Sequence, residues 1–275
     1  MKQTSIFLVF LWVLFFSTIG YSQNDPWKRV DEGLFLMEFY PSQKFSAKDS
    51  KITIVKIDPK FYSFRLLSAS EPGKMRLTAK NWCLKYNLIS AINAGMYQED
   101  GLSNVGYMKN FSHINNPRLS NIYKAVLAFN RTDAALPEIQ IIDLKCQAFE
   151  ELRQKYQTFV QGIRMVSCRQ ENVWTNKDKI WSLAVLGIDK GGNVLFIFSE
   201  ALYSGFDFIN VLLSLPIPIY NAMYLEGGSE ASLYFMSNGT ELDKVGNNGM
   251  ALNDSLVRGV ARAIPNVVGI TKKPK

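Results

Sequence analysis

Two apolar runs, Trp181 to Ile188 and Val194 to Ser199, are separated only by Asp189-Lys190-Gly191-Gly192-Asn193. Short apolar segments flanking a turn rich in Gly, Asp and Asn read as two antiparallel strands joined by a hairpin. A chain that commits its most apolar stretch to a hairpin must build a sheet around it. Further strands are expected at Ile52 to Asp58 and Phe61 to Leu67, paired around Asp58-Pro59-Lys60, and at Ile89 to Asn93. Tyr123 to Asn130 and Glu138 to Asp143 form another pair around a Pro-containing turn, followed by Thr158 to Val166, Ala222 to Leu225 and Ala231 to Phe235. Helical signals are fewer. Thr78 is placed to cap a helix carrying Trp82, Cys83 and Tyr86, Ala148 to Tyr156 has helical spacing, and Phe206 to Leu215 runs helically into Pro216, which stops it. Gln23 to Lys51 gives no clear element. No internal repeat and no low-complexity linker divides the chain. The expected fold is α+β: one domain with a mixed, largely antiparallel β-sheet flanked by short helices.

The first 22 residues differ in kind from the rest. Lys2 precedes an uncharged run from Ile6 to Ile19, then Gly20-Tyr21-Ser22, the pattern of a basic end, a short apolar core and small residues before a cleavage point. The run is shorter than the roughly 20 residues that span a bilayer. Residues 1–22 are therefore expected to be a signal peptide cleaved before Gln23, with 23–275 the exported domain, periplasmic or extracellular, and no stable membrane anchor after cleavage.

Charge and cysteine usage narrow the chemistry. The net charge of +7 comes without a basic block, which suits anionic ligands and argues against nucleic acid as a partner. Cys83, Cys146 and Cys168 have no CxxC spacing, and His113 is the sole histidine, so no metal site of the Cys/His kind is expected and no cofactor is implied. One disulfide is possible in an exported chain, with any of the three cysteines left over.

Three polar clusters interrupt the apolar framework where strands meet Gly-bearing turns, positions at which a sheet holds ligand-binding groups on its rim. They are Ala91-Ile92-Asn93-Ala94-Gly95-Met96-Tyr97, Gln161-Gly162-Ile163-Arg164-Met165, and Ala222-Met223-Tyr224-Leu225-Glu226-Gly227-Gly228-Ser229-Glu230-Ala231. In the last, glycines let backbone N–H groups approach an anion beside a carboxylate. That pairing serves glycosyl transfer to water, where a carboxylate activates water or attacks the anomeric carbon.

In order and spacing these clusters, with the Asp58-Pro59 turn, Gly106-Tyr107 and the hairpin from Ala184 to Gly192, resemble the phosphodiester glycosidase family over about residues 52–270. The resemblance implies an exported hydrolase acting in carbohydrate metabolism, on the bond between a sugar anomeric carbon and a phosphodiester, as in N-acetylglucosamine-1-phosphodiesters. Where the family often has Asp-Gly-Gly, this chain has Glu226-Gly227-Gly228, an extra methylene that moves the carboxylate outward. On this reading Glu226 is the central carboxylate, base or nucleophile, with Glu200 or Asp207 as a second. Arg164 and the Gly227 and Gly228 amides hold the phosphate, with Ser229 beside them. Asn93 and Gln161 bond sugar hydroxyls or an acetamido group, and Tyr97 stacks on the ring. Asp207 also reads as a first-turn helix acid and Glu230 as solvent-facing. The competing expectation is a non-catalytic, exported glycan-binding domain on the same fold.

Overall fold

The computed structural model describes residues 26–41, 51–175, 177–247 and 260–274. The expected leader and its cleavage point lie outside these residues. The strands in chain order are β1 (Lys28–Asp31), β2 (Leu34–Phe39), β3 (Ile52–Ile57), β4 (Tyr62–Ser68), β5 (Ser90–Asn93), β6 (Met108–Asn110), β7 (His113–Asn116) and β8 (Ala125–Arg131). They continue with β9 (Ile139–Asp143), β10 (Tyr156–Val166), β11 (Trp181–Asp189), β12 (Val194–Tyr203), β13 (Ile219–Gly227), β14 (Ser232–Ser237), β15 (Thr240–Val245) and β16 (Asn266–Lys272). Three helices, α1 (Ala79–Tyr86), α2 (Phe149–Arg153) and α3 (Gly205–Ser214), complete the described secondary structure apart from a short 3-10 turn at Gly228–Glu230.

The strands form two sheets. The larger runs β1-β2-β3-β12-β11-β13-β10-β6-β7, with β8 joined to β10 and β9 to β8; the smaller runs β15-β14-β5-β16-β4. Every pairing between these strands is antiparallel, so the mixed sheet expected from sequence is not what forms, and the protein is mostly β rather than balanced α+β.

The two sheets face each other across one core, to which the larger contributes Ala184, Leu186, Phe196, Phe198 and Leu225 and the smaller Ile92, Leu233, Phe235 and Val268. On the opposite face of the larger sheet, Leu183, Val185, Leu195 and Ile197 pack against Phe208, Ile209, Val211 and Leu212 of α3. On the outer face of the smaller sheet, Trp82 and Cys83 of α1 pack on Leu67, Ala91 and Val267. The layers are thus α3, large sheet, small sheet and α1. Two-sided burial explains why β11 and β12 read as continuous apolar runs rather than alternating ones. Each fully buried Phe or Leu there contributes on the order of 1.5–3 kcal/mol.

The hairpin forms as expected, with Leu186 opposite Phe196 and Ile188 opposite Val194. Thr78 caps α1 by accepting from the Asn81 N–H at 3.1 Å, and Ser204 caps α3 through the Asp207 N–H at 3.0 Å. Strands β8 and β9 also pair as expected. The pairing expected of Ile52 to Asp58 with Phe61 to Leu67 does not occur. The turn exists, since Asp58 O accepts from Phe61 N at 3.1 Å, but β3 pairs with β2 and β12 while β4 pairs with β16. Val55 and Ile57 meet Tyr62, Phe64 and Leu66 face to face across the core instead of edge to edge. Both segments must bury one apolar face, and an arch between sheets does this as well as a hairpin.

The loops that follow β5 and β7 are tied to β10 by two buried amide side chains. Gln161, fully buried, accepts from Tyr107 N at 2.9 Å and Ser120 N at 2.8 Å and donates to Ser120 O at 2.8 Å and Tyr123 O at 2.7 Å. Beside it Asn104 Nδ2 donates to Gly106 O and Gln161 O, both at 3.0 Å. Replacing Gln161 by Leu removes four bonds and leaves buried backbone groups unpaired, each costing about 1–3 kcal/mol before relaxation. Gln161→Leu should therefore lose about 2–5 kcal/mol in urea unfolding, whereas a surface glutamine substitution should change stability little.

Candidate active site

Strand β13 carries apolar residues through the centre of the large sheet and ends in Glu226-Gly227, opposite Ala184 and Leu183 of β11. The expected strand, Ala222 to Leu225, thus extends through the glutamate, which is fixed by ladder pairing rather than by a loop. Gly227 is required by close approach: a methyl group there would overlap the Tyr224 hydroxyl and the Trp181 indole, which converge over its α-carbon. Gly228 has φ +65, the left-handed region in which side chains are disfavoured. It starts the 3-10 turn that carries Ser229 and Glu230 back over the strand end.

Burial pushes the Glu226 carboxyl up to about 7, the neighbouring Glu230 charge adding to the rise and the Gly227 N–H, donated to Glu226 Oε1 at 2.9 Å, opposing it. Glu230 accepts from Ser229 Oγ at 2.8 Å and pairs with Arg262 at 3.3 Å. Tyr97 belongs to the same cluster. Burial raises its phenol first, then Glu230 and Glu226, against Arg76 and Arg262. The Arg76 guanidinium lies 5.3 Å from the Tyr97 ring centre and donates from Nε and Nη2 to Ala263 O at 3.0 and 2.7 Å. Burial followed by the Glu226 charge holds the Tyr224 phenol well above its usual range. The structure so gathers Glu226, Glu230, Tyr97, Tyr224, Trp181, Arg76 and Arg262. A carboxyl poised to titrate near neutrality, a second carboxylate and two guanidinium groups suit proton transfer next to an anion.

The other expected site residues sit elsewhere or are committed to the scaffold. Asn93, 2% exposed, donates from Nδ2 to Glu230 O at 2.9 Å and accepts from Ser232 N at 2.7 Å, so it holds the 3-10 turn in place rather than facing a ligand. The Gln161 amide is spent on the four bonds described above. Arg164 Nη1 donates to both oxygens of Asp143 at 3.0 Å, and Asp143 is itself buried. Arg164 is absent from the charges that act on Tyr97 and Glu226. The Gly227 amide, expected to hold phosphate, is donated to Glu226, and the Ser229 hydroxyl to Glu230. Glu200 forms an ion pair with Lys244. Asp207 accepts from Ser204 Oγ at 2.7 Å, closing the cap of α3, which is the helix-terminal role its position also suggested. Cys146 and Cys168 form the disulfide and Cys83 remains free and buried.

Sequence reading missed Arg76, Arg262, Trp181 and Tyr224 and placed Glu230 in solvent. Only Glu230 and Tyr224 had a usable signal, since they share the glycine segment with Glu226. Arg76 and Arg262 are far from it in sequence and reach it only because β4 and β16 are neighbours in the small sheet.

The phosphodiester glycosidase family model matches residues 86–271. No curated protein sequence matches the chain. Among solved structures it is similar to the zebrafish N-acetylglucosamine-1-phosphodiester alpha-N-acetylglucosaminidase catalytic domain auto-inhibited by pro-peptide, at 15% identity and a TM-score of 0.59, covering 92% of this chain and 86% of that one. It is also similar to a hypothetical protein from Synechocystis, at 14% identity and a TM-score of 0.63, covering 91% of this chain but only 64% of that one. At such identities the likeness of structures concerns the fold alone.

A Glu226 carboxyl raised from 4.5 to about 7 is favoured in its protonated form by folding. The stability it lends is full below about pH 4.5 and is lost as pH rises through about 7. Glu226→Gln, which keeps an acceptor for the Gly227 N–H without the charge, should therefore match the parent in stability at pH 4.5. At pH 8 it should exceed the parent by on the order of 1–3 kcal/mol. Chemical unfolding at the two pH values measures the difference.

Proposed function

Because the chain belongs to the phosphodiester glycosidase family, we propose that it is a hydrolase cleaving the bond between a sugar anomeric carbon and a phosphodiester, with Glu226 as the group that takes the proton from water. The observation that carries this reading is the Glu226 carboxyl, fixed at the end of a core strand and pushed up to about 7 beside Glu230 and Tyr97. A base is most effective when its pKa lies near the working pH. Ionised Glu226 accepts a proton as water attacks the anomeric carbon, the bond from that carbon to the phosphate oxygen breaks, and the phosphate leaves as a monoester anion. Such a leaving group departs without a strong acid to protonate it.

With Arg164 held by Asp143, the phosphate falls to Arg76 and Arg262, whose guanidinium groups already bear on Tyr97 and Glu230. Their donors match phosphate oxygens in geometry and charge. On this reading the half-buried Tyr97 ring contacts the sugar. A GlcNAc-1-phosphodiester-like glycan is the substrate we favour, in keeping with the family.

The test is release of free sugar from a sugar-1-phosphodiester by the purified chain. The parent's kcat/KM should rise with pH and level off above about 7, as the Glu226 carboxyl loses its proton. Glu226→Gln should reduce turnover by a factor of about 10² or more while binding is retained. Undiminished turnover in a folded Glu226→Gln protein would remove Glu226 from the chemistry. Binding without turnover in the parent would favour the glycan-binding reading.

We further propose that the protein is exported by residues 1–22. The disulfide between Cys146 and Cys168 supports this, because such bonds persist in oxidising compartments. Among the described residues no helix is long and apolar enough to cross a membrane. Intact mass of the protein recovered outside the cytoplasm should correspond to a chain starting at Gln23, and a mass that includes residues 2–22 would contradict this.

A further inference from the structure

A concave site lies at the other end of β13 from Glu226. A cavity of about 810 Å³ opens where the β11–β12 turn, the β3–β4 turn and the β8–β9 turn come together. Its volume is within the range of ordinary ligand pockets. It is separate from the Glu226 cluster. Asn221 lines it, and the five residues from Asn221 to Glu226 span about 17 Å of extended strand. None of the residues grouped with Glu226 lines it.

The wall is largely apolar, built from Pro59, Pro137, Ile139, Ile141 and Ile188, with the Tyr220 ring beside them. Tyr220 is 42% exposed, an aromatic surface left open next to a hydrophobic concavity. The lining cations and acids are unequally committed. Glu138 pairs with Lys273 and lies 3.7 Å from Arg131, which also donates to the Ala134 and Leu136 carbonyls. Asp189 accepts from Asn193 N and Nδ2, both at 2.8 Å, and Asp58 accepts from Lys60 N at 2.9 Å. The ammonium groups of Lys60 and Lys190 enter no ion pair among the described residues and both residues are exposed. In the wall itself Asn221, 2% exposed, donates from Nδ2 to Ile141 O at 3.0 Å while its Oδ1 has no hydrogen-bond partner among the described residues.

From an apolar wall, an open aromatic ring and two ammonium groups outside any ion pair, we infer that this cavity binds an amphipathic anion, an organic phosphate or carboxylate with a hydrocarbon or aryl body. The body lies along Ile139, Ile141, Ile188 and Tyr220, and the acidic head takes Lys60 and Lys190. A neutral sugar is a poorer match, because Gln140 and Gln147, the amides that would serve it, bond each other at 3.1 Å. A free inorganic anion leaves the apolar wall unused.

Isothermal titration of the purified chain with decyl phosphate, below its micellar concentration, tests the inference. Decanoate, decyl glucoside and inorganic phosphate are run alongside. Expected is saturable one-to-one binding of decyl phosphate or decanoate, whichever head the lysines accept, with inorganic phosphate far weaker. Charge reversal at both cations, Lys60→Glu with Lys190→Glu, should weaken the anionic amphiphile by about tenfold or more and leave decyl glucoside unchanged. Tyr220→Ala should weaken every decyl ligand. All three positions are exposed, so folding should survive, and an unchanged thermal midpoint checks it. Glu226→Gln should bind decyl phosphate like the parent, which separates this site from the proposed catalytic one. No saturable binding, or binding indifferent to charge reversal, or inorganic phosphate bound as tightly as decyl phosphate, would overturn the inference.

Discussion

The burial of β11, β12 and β13 on both faces is the constraint on which the rest depends. One face of these strands lies against the small sheet and the other against α3. Strands buried in this way have no room for polar side chains along their length. Polar chemistry is therefore displaced to their ends, where the chain leaves the ladder. Glu226 marks one end of β13, and Asn221 stands near the other, where the cavity of about 810 Å³ opens.

At the Glu226 end, the same burial that excludes polar groups alters the one that remains. A carboxyl at the rim of a desolvated sheet is held near neutrality by the cost of charging it there, while the Gly227 N–H limits that cost and the Glu230 charge adds to it. Buried amides fasten the scaffold around it, alongside the Glu230–Arg262 ion pair. Asn93 fixes the 3-10 turn to β5, and Gln161 fixes the loop after β6 and β7 to β10. Side chains that in sequence resemble ligand-binding groups are thus the fastenings of the site. Their donors and acceptors are consumed by backbone, which is what a buried amide requires.

The sequence was a good guide to elements and a weaker one to their partners. The hairpin of β11 and β12, the capped α1 and α3, and the β8–β9 pair follow from local chemistry: apolar runs, turn residues and Ser or Thr caps act within a few positions. The Asp58-Pro59-Lys60 turn is just as legible, yet it links two sheets instead of two neighbours in one. A turn fixes a reversal of direction. Which edge each strand then pairs with is decided by competition among all available edges, and β12 and β16 won it.

Local sequence signals were enough to show that this chain builds apolar sheet, that Glu226 stands where a strand meets two glycines, and that three polar clusters follow in an order resembling that of phosphodiester glycosidases, although the cluster from Gln161 to Met165 lies inside β10 and not at a strand end. Only the tertiary structure decided which members of those clusters face one another. Arg164 and Gln161 stand in as promising a pattern as Glu226, but Asp143 and the backbone of Ser120 and Tyr123 reach them first. Arg76 and Arg262 stand in no pattern at all, yet the pairing of β4 with β16 brings Arg76 to Tyr97 and Arg262 to Glu230. The reason is range. Strand, turn and cap preferences act over a few residues of chain, whereas a charged site is assembled by contacts between segments remote in sequence, and their meeting is fixed by how the two sheets close over the core.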